Sequence, residues 1–428
     1  RSIQDRDAFW AEQAALVDWK KPFDRVCNHD NPPFTRWFEG GLTNLCHNAV
    51  DRHLKDRAEQ NALIFVSTET DTERRYSFRE LHAEVQRMAG VLLSQGVKQG
   101  DRVLIYMPMI PEATFAMLAC ARIGAIHSVV FGGFASHSLA NRIDDAAPVA
   151  IVSADAGSRG GKVVAYKPLL DEAIRLARHK PASVVLVNRG LAPMDTVPGR
   201  DHDYAALREQ QLSTEVPCVW LDATAISYTI YTSGTTGKPK GVQRDTGGYT
   251  VALAASMKHI FMGRPGETYF CTSDIGWVVG HSYIVYGPLI AGMATILYEG
   301  LPVRPDAGIW WRLVEKYKVT AMFSAPTAVR VLKKQDPAYL KQFDLSTLRA
   351  LFLERYHDFC GQLKRRLGSE DLARDALQET YLKIHESDVL PSVRKLMTHP
   401  DFNIKNPNRA RSVIFSYCSA NPGAFHRA

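Results

Sequence analysis

A regular alternation of short apolar runs and amphipathic stretches between residues 60 and 353 constrains the fold most strongly. The runs ALIFVS (62–67), RVLIYM (102–107) and HSVVF (127–131) are typical of strands, and the stretches between them have the apolar spacing of helices. Such alternation is typical of parallel strands joined by crossover helices. The sequence therefore predicts an α/β fold of βαβ layers with mainly parallel sheets. Further strand candidates are SVVLV (183–187), ISYTIY (226–231), ATILY (294–298), TAMFS (320–324) and LRALFL (348–353).

The clearest single helix is predicted for residues 76–96. Ser77 and Glu80 have the spacing of a capping box, and Gly96 provides a stop signal. Apolar residues at helical spacing lie between them and predict one buried face. These residues are Leu81, Val85, Met88 and Leu92.

Residues 231–241 (YTSGTTGKPKG) form a loop that follows a strand candidate and is rich in glycine and hydroxyl groups. Glycines let the backbone approach an anion, hydroxyls donate hydrogen bonds, and a lysine adds positive charge. Only two residues separate Gly234 from Gly237, so this is not a Walker A loop. The pattern predicts a phosphate site, against the alternative of a mobile turn. The residues assigned to it are Thr232, Ser233, Gly234, Thr235, Thr236, Gly237 and Lys240.

This loop resembles the signature loop of the adenylate-forming enzymes, and its surroundings resemble the short-chain acyl-CoA synthetases among them. The resemblance covers about residues 1–353 and includes SDIGWVVGHSYIVYGPL (273–289) and LYEGLPVRPDAGIWW (297–311). The segment QRDTGGYTVALAASM (243–257) is closer to propionate-activating than to acetate-activating members. The resemblance implies AMP-forming ligation of propionate to CoA through an acyl-AMP, with ATP, CoA and Mg²⁺ required. Acetate remains the alternative substrate.

The resemblance implies two further groups of site residues. In the segment SRGGK (158–162), Arg159, Gly160, Gly161 and Lys162 match the CoA contact of the family; the alternative is an ordinary basic turn. Trp277, Val278 and Val279 match the acyl pocket, where acetate enzymes usually carry threonine in place of Val279. An apolar residue there suits a longer alkyl chain, although one methylene gives only about 1–3 kcal/mol of discrimination. His281 and Tyr283 fit either a pocket wall or a polar core.

The pattern changes to all-helical after Leu353. The family's adenine and ribose motifs, and the C-terminal domain that carries its catalytic lysine, have no counterpart in residues 354–428, so no catalytic residue is assigned and full turnover is not expected. Residues 354–387 resemble a helical segment of small alternative sigma factors, and residues 388–428 resemble the C-terminal region of bacterial M1 aminopeptidases. The predicted organisation is an N-terminal extension wrapping the large domain (1–60), an incomplete AMP-binding large domain (61–353) and these two helical segments.

Three interpretations therefore remain open. The chain is an acyl-CoA ligase represented by its N-terminal region, a non-catalytic mosaic whose tail contacts protein or nucleic acid, or a composite of pieces from three proteins. The tail itself disfavours DNA binding, because residues 354–387 hold six Lys and Arg against seven Asp and Glu. A break after Leu353 cuts a domain in mid-sheet, which favours a composite over a natural fusion.

Composition narrows the class of protein further. A net charge of +7 over 428 residues gives no reason to expect a nucleic-acid partner. No run of about 18 apolar residues is present and the first residues contain no signal core, so no membrane partner is expected. Seven scattered cysteines without CxxC spacing favour a cytoplasmic protein without a metal site. The oligomeric state is not indicated.

Overall fold

The computed structural model describes residues 4–32, 34–232 and 240–353, which divide into two compact units. The first unit contains the described residues up to His259 together with Gly263–Glu267 and Ser273–Leu301. The second contains Ile260–Met262, Thr268–Thr272 and residues 302–353. The two helical segments predicted for 354–387 and 388–428 lie outside the described residues, as do residues 233–239 of the glycine-rich loop.

The first hundred residues form short helices and hairpins before one long helix. Asn44 caps one of these helices by accepting the backbone N–H of His47 at 2.9 Å, and its amide donates to the Ala121 carbonyl at 2.8 Å. The N-terminal residues are thereby fixed to the rest of the first unit. The elements are α1 (Arg6–Ala14), β1 (Arg25–Asn31), β2 (Phe34–Glu39), β3 (Leu42–Thr43), α2 (Leu45–Ala49), a 3₁₀ turn (Asp51–His53), α3 (Leu54–Arg57), β4 (Asn61–Ser67), β5 (Thr72–Ser77) and α4 (Phe78–Ser94).

Helix α4 confirms the predicted helix. The Ser77 hydroxyl accepts the Glu80 N–H at 3.2 Å, and the Glu80 carboxylate accepts the Ser77 N–H at 2.8 Å, which completes the capping box. The four apolar residues predicted for its inner face are all fully buried; they are Leu81, Val85, Met88 and Leu92.

The middle of the chain alternates strands and helices, as the sequence predicts. Its elements are β6 (Arg102–Tyr106), α5 (Pro111–Ile123), β7 (Ile126–Val130), α6 (Ser136–Ala146), β8 (Ala150–Ala154), β9 (Ala156–Arg159), β10 (Lys162–Ala165), α7 (Tyr166–Leu176), β11 (Ser183–Val187), β12 (Asp201–Asp203), α8 (Tyr204–Glu209), β13 (Leu221–Asp222), β14 (Ile226–Thr232), β15 (Lys240–Asp245) and α9 (Gly247–His259).

Seven of these strands form one sheet in the order β12-β11-β8-β6-β7-β14-β15. The first six run parallel, and β15 returns antiparallel to β14 at the edge. One face of the sheet packs against α6 and α7, where Leu104, Ile143, Ile151 and Leu170 belong to a buried cluster. The predicted α/β fold with mainly parallel strands is therefore confirmed. The short strands β3 and β13 pair antiparallel, so residues on both sides of the predicted boundary at residue 60 belong to the first unit.

The last described elements belong partly to each unit. They are β16 (Thr268–Cys271), α10 (Val278–Gly280), a π-helical turn (His281–Tyr286), α11 (Gly287–Ile290), β17 (Ala294–Glu299), α12 (Ile309–Tyr317), β18 (Val319–Ser324), α13 (Pro326–Lys333), α14 (Ala338–Lys341) and β19 (Ala350–Leu353). In the first unit β17 pairs parallel with β4, and β4 pairs antiparallel with β5. In the second unit β18 lies between β16 and β19, and all three strands are parallel. Within the described ranges, no helix combines the length and the apolar character that a membrane crossing requires.

Candidate functional site

The segment SRGGK forms a β-hairpin with a two-residue turn. Strands β9 and β10 pair antiparallel, and Gly160 and Gly161 at the turn have φ angles of 64° and 78°. Residues with other side chains rarely adopt two consecutive positive φ angles, which explains the glycine pair. Arg159 and Lys162 are direct partners across the hairpin. Residues that are paired in this way project from the same face, so the turn carries two neighbouring cations.

The pairing of Arg159 with Lys162 places two like charges directly opposite each other. Like charges directly opposite each other destabilise a hairpin, whereas a bound anion converts the same arrangement into two attractive contacts. Both side chains belong to exposed residues. The two exposed cations supply the charge that an anionic ligand requires.

The opposite face of the hairpin is held by a carboxylate. Glu69, in the turn after β4, accepts hydrogen bonds from the Ser158 hydroxyl at 2.7 Å and from the backbone N–H groups of Gly160 and Gly161 at 2.7 and 2.8 Å. Ser158 precedes Arg159, and consecutive residues of a strand point to opposite faces. Glu69 therefore binds the back of the turn and leaves the face that carries Arg159 and Lys162 uncovered by this contact.

Phe131 connects the hairpin to the predicted acyl pocket. The Arg159 guanidinium lies 5.7 Å from the centre of the Phe131 ring, a cation–π distance. The Phe131 ring centre is 5.5 Å from that of Trp277, which is 46% exposed. Phe134 completes the aromatic cluster at 6.5 Å from Trp277. The structure thus brings together two residues that the sequence assigned separately to CoA and to the acyl group.

Phe131 and Phe134 were not among the predicted site residues, although a signal for them exists. The segment FGGF (131–134) directly follows β7, and ligands of parallel α/β sheets bind at the carboxyl ends of the strands. A Cβ atom at Gly132 would lie 1.9 Å from the hydroxyl of Tyr166, so only glycine fits there. The backbone between the two phenylalanines therefore lies close to the first residue of α7.

The three predicted acyl-pocket residues are consecutive at the beginning of α10. Val278 and Val279 are half-buried and follow the exposed Trp277. His281 follows α10, is fully buried, and forms a 2.5 Å hydrogen bond between its Nδ1 atom and the Ile275 carbonyl. The backbone N–H of His281 also donates to the Trp277 carbonyl at 3.0 Å. His281 therefore fixes the segment that carries Trp277 from the core side.

His281 belongs to a buried aromatic and imidazole stack. Its ring lies parallel to that of His127, with ring centres 5.4 Å apart and 3° between the planes. Burial lowers the pKa of His281 to about 4 and that of His127 well below its usual range. Both imidazoles are therefore neutral at pH 7. This environment favours a core role for His281, while Tyr283 is half-buried and donates to the Ser256 hydroxyl at 3.2 Å.

The glycine-rich loop connects two paired strands at the edge of the sheet. Thr232 at the end of β14 and Lys240 at the beginning of β15 are register partners, and Lys240 is exposed. The strand predicted to precede the loop is confirmed. Its end is anchored on α6, because the Tyr231 hydroxyl donates to Asp145 at 2.6 Å and the Arg142 guanidinium lies 5.7 Å from the Tyr231 ring. The assigned residues Ser233, Gly234, Thr235, Thr236 and Gly237 lie outside the described part of the chain.

One group of metal-ligand type occurs among the described residues. Ligand atoms of Cys46, Asp51 and Cys218 lie within 4.8 Å of one another. The Arg122 guanidinium donates to both Asp51 oxygens at 2.8 and 2.9 Å and to the Cys46 sulfur at 3.7 Å. Burial opposes ionisation of Asp51, but hydrogen bonds from His82 and Arg122 outweigh it and hold the pKa of Asp51 well below its usual range. The arginine already supplies the cation, so this group is a structural ion pair.

Comparison with known proteins defines the class to which this fold and site belong. Residues 50–385 match the AMP-binding enzyme family, and residues 1–49 match the N-terminus of acetyl-coenzyme A synthetase. The chain belongs to the AMP-binding enzyme family. Residues 343–428 match the ARM repeats of a domain of unknown function.

Individual relatives are short-chain acyl-CoA ligases by name. The chain is 64% identical over 353 residues to propionate–CoA ligase of Salmonella typhimurium and 63% identical over 353 residues to that of Escherichia coli. It is 45% identical over 357 residues to the human mitochondrial acyl-CoA synthetase short-chain family member 3. Each match covers 82% of this chain but 56%, 56% and 52% of the respective relative. The chain thus spans about half the length of these curated relatives.

Proposed function

We propose that the chain carries the substrate-binding part of an AMP-forming ligase that joins propionate to CoA. In this reaction the carboxylate attacks the α-phosphate of ATP to give propionyl-AMP and pyrophosphate, and the CoA thiol then attacks the acyl carbon and releases AMP. The observation that supports this proposal best is the contact of Phe131 with both Arg159 and Trp277. In an enzyme that transfers an acyl group to CoA, a phosphate-binding hairpin and an acyl site are expected at the two ends of one continuous surface, because the pantetheine arm joins the CoA phosphates to the thiol.

The assigned residues have distinct roles in this proposal. The hydroxyl and amide groups of residues 232–237, with Lys240, bind the β- and γ-phosphates and stabilise the charge that develops on pyrophosphate. Mg²⁺ accompanies the nucleotide and shares this charge. Arg159 and Lys162 bind CoA phosphates. Trp277, Val278 and Val279 enclose the alkyl chain, and acetate is the alternative substrate because it differs by a single methylene.

The role of Lys240 is tested directly by nucleotide binding. Replacing Lys240 by alanine removes one charge-assisted contact to phosphate, so we expect ATP to bind about tenfold more weakly. Isothermal titration calorimetry with ATP and Mg²⁺ measures this affinity. The matched control is Lys55→Ala, which removes an exposed lysine on α3, outside the site. Equal ATP affinity of the Lys240→Ala protein and the unchanged protein would refute the assignment.

The change to an all-helical pattern after Leu353 and the resemblance of each tail segment to a different protein support a composite origin of residues 354–428. We infer that the segments 354–387 and 388–428 come from other proteins, resembling a sigma factor and an M1 aminopeptidase, and that they do not supply the family's catalytic lysine. The chain is then expected to bind ATP in a neutral, reducing buffer that resembles the cytoplasm. In the same buffer it is expected to form no measurable propionyl-CoA. Peptide mapping by tandem mass spectrometry tests the junctions Leu353–Glu354 and Ser387–Asp388. Peptides that run from LRALFL into a different sequence would show that residues 354–428 do not follow Leu353 in the protein.

A further inference from the structure

We propose that Glu69 is a positioning residue for CoA recognition, because it holds the β9–β10 hairpin in the conformation that presents Arg159 and Lys162. This inference rests on the proposed function, since it assumes that the two cations bind CoA phosphates. Glu69 does not contact the ligand in this proposal. It acts through the backbone of the turn, from the face opposite the two cations.

The hydrogen bonds of Glu69 define this role. One carboxylate oxygen accepts the Gly160 N–H at 2.7 Å, and the other accepts the Gly161 N–H at 2.8 Å and the Ser158 hydroxyl at 2.7 Å. A carboxylate that accepts backbone N–H groups forms charge-assisted hydrogen bonds, which are about twice as strong as neutral ones. Three such bonds fix the turn at its most flexible point, because a glycine pair has the largest conformational freedom in the unbound state.

Glu69 is itself fixed by a chain of contacts that reaches the base of the same hairpin. The Ser67 hydroxyl accepts the Glu69 N–H at 3.3 Å and donates to the buried carboxylate of Glu299 at 2.7 Å. Arg189 donates to both Glu299 oxygens at 2.9 and 2.7 Å and to the Ala156 carbonyl, at the beginning of β9, at 3.3 Å. The hairpin is therefore held at both ends by one connected network. Such a network supports a preformed rather than an adaptable phosphate site.

The geometry also distinguishes a positioning role of Glu69 from competition between Glu69 and the CoA phosphates for the turn. If Glu69 occupied the place of the ligand, its removal would free the turn N–H groups for phosphate and CoA would bind more tightly. Ser158 and Arg159 point to opposite faces of β9, so Glu69 and the cations lie on different sides of the turn. Removal of Glu69 is then expected to weaken CoA binding. The two mechanisms predict changes of opposite sign.

Two readouts on the full chain test the proposal. Trypsin cleaves after arginine and lysine, so cleavage at Arg159–Gly160 and Lys162–Val163 reports the order of the hairpin without any ligand. In Glu69→Ala we expect cleavage there about fivefold faster and CoA binding about tenfold weaker, since three hydrogen bonds to the turn are lost. Glu69→Gln keeps the side-chain length and one acceptor oxygen, so both values are expected between those of the unchanged protein and of Glu69→Ala. Binding of pantetheine, which has the thiol arm of CoA without phosphate, is expected to stay unchanged.

Matched variants make the outcomes distinguishable. Glu73→Ala removes an exposed carboxylate on β5 that is not the acceptor of the three hydrogen bonds from residues 158, 160 and 161, and it is expected to change neither readout. Unchanged cleavage in Glu69→Ala, tighter CoA binding, or an equal loss of pantetheine binding would each overturn the positioning role. An Arg159→Ala, Lys162→Ala double variant with unchanged CoA affinity would instead overturn the CoA assignment. In that case the cleavage rates of Glu69→Ala still decide whether Glu69 orders the turn.

Discussion

Val279 is the residue at which the preference between acetate and propionate is most directly testable. It is half-buried near the exposed Trp277, at the second position of α10. Replacing it by threonine introduces a hydroxyl and removes a methyl group of the same shape, so we expect relative affinity to shift toward the shorter acyl group by about tenfold. Dissociation constants for non-hydrolysable acetyl-AMP and propionyl-AMP analogues measure the ratio. Val331→Thr, at an exposed position of α13, provides the control. A ratio that does not change would place Val279 outside the pocket.

Local motifs identify single site residues but not the contacts between them. Arg159 and Trp277 are found by resemblance, one segment at a time. Their common neighbour Phe131 lies in neither motif, and its role depends on where the end of β7 meets the β9–β10 hairpin. Glu69 lies 89 residues before Ser158, and no local pattern relates the two. Contacts of this kind depend on the arrangement of the sheet, which a periodicity argument does not provide.

The N-terminal cap of α4 makes an element-scale prediction. Replacing Ser77 by alanine removes the acceptor for the Glu80 N–H and half of the capping box, so we expect the free energy of unfolding of the first unit to fall by about 1 kcal/mol. Urea unfolding followed by circular dichroism measures this change. Ser94→Ala is the control, because the Ser94 hydroxyl only donates to the Val91 carbonyl within the same helix. Equal losses for the two variants would show that the cap has no special contribution.

At the scale of elements, burial decides which predictions from the sequence succeed. The strand predicted at 183–187 has the same bounds as β11, and all five of its residues are buried. The strand candidates do not include β8, although its five residues are also all buried and four of them are apolar, with Ser153 interrupting the run. Burial does not explain the hairpin of β9 and β10, because three of the four residues of β10 are exposed. Its glycine pair signals a turn, but no apolar period indicates the strands on either side.

At the scale of the molecule, three buried histidines predict that the first unit is sensitive to acid. His53, His127 and His281 are at most 5% exposed. Burial lowers the pKa of His53 and His281 to about 4 and that of His127 well below its usual range. The Nδ1 atom of His127 and the Nε2 atom of His281 have no hydrogen-bond partner within the described part of the chain, so neither ring has an acceptor ready for a second proton.

The direction in which pH changes the stability follows from comparing proton binding by the histidines in the folded and unfolded states. Unfolded histidines bind protons below about pH 6.5, whereas folded His53 and His281 do not until about pH 4 and the pKa of folded His127 is well below its usual range. Their contribution to stability is therefore complete above about pH 6.5 and is lost as the pH falls. Between pH 7.5 and 5.5 each histidine accounts for about 1.4 kcal/mol, or about 4 kcal/mol together. Burial raises the pKa of Asp245 to about 6, and this carboxyl opposes the loss by about 1 kcal/mol over the same range.

We therefore expect a net loss of about 3 kcal/mol in the free energy of unfolding from pH 7.5 to 5.5. Urea titrations at the two pH values measure it. In His281→Asn the amide can still donate to the Ile275 carbonyl, but the side chain no longer titrates, so the net loss is expected to shrink by about 1.4 kcal/mol, which is nearly one half. His137→Asn, at an exposed position of α6, is the control and is expected to leave the loss unchanged. If His281→Asn and His137→Asn gave the same pH dependence as the unchanged protein, proton uptake by the buried histidines would not be the cause of acid sensitivity.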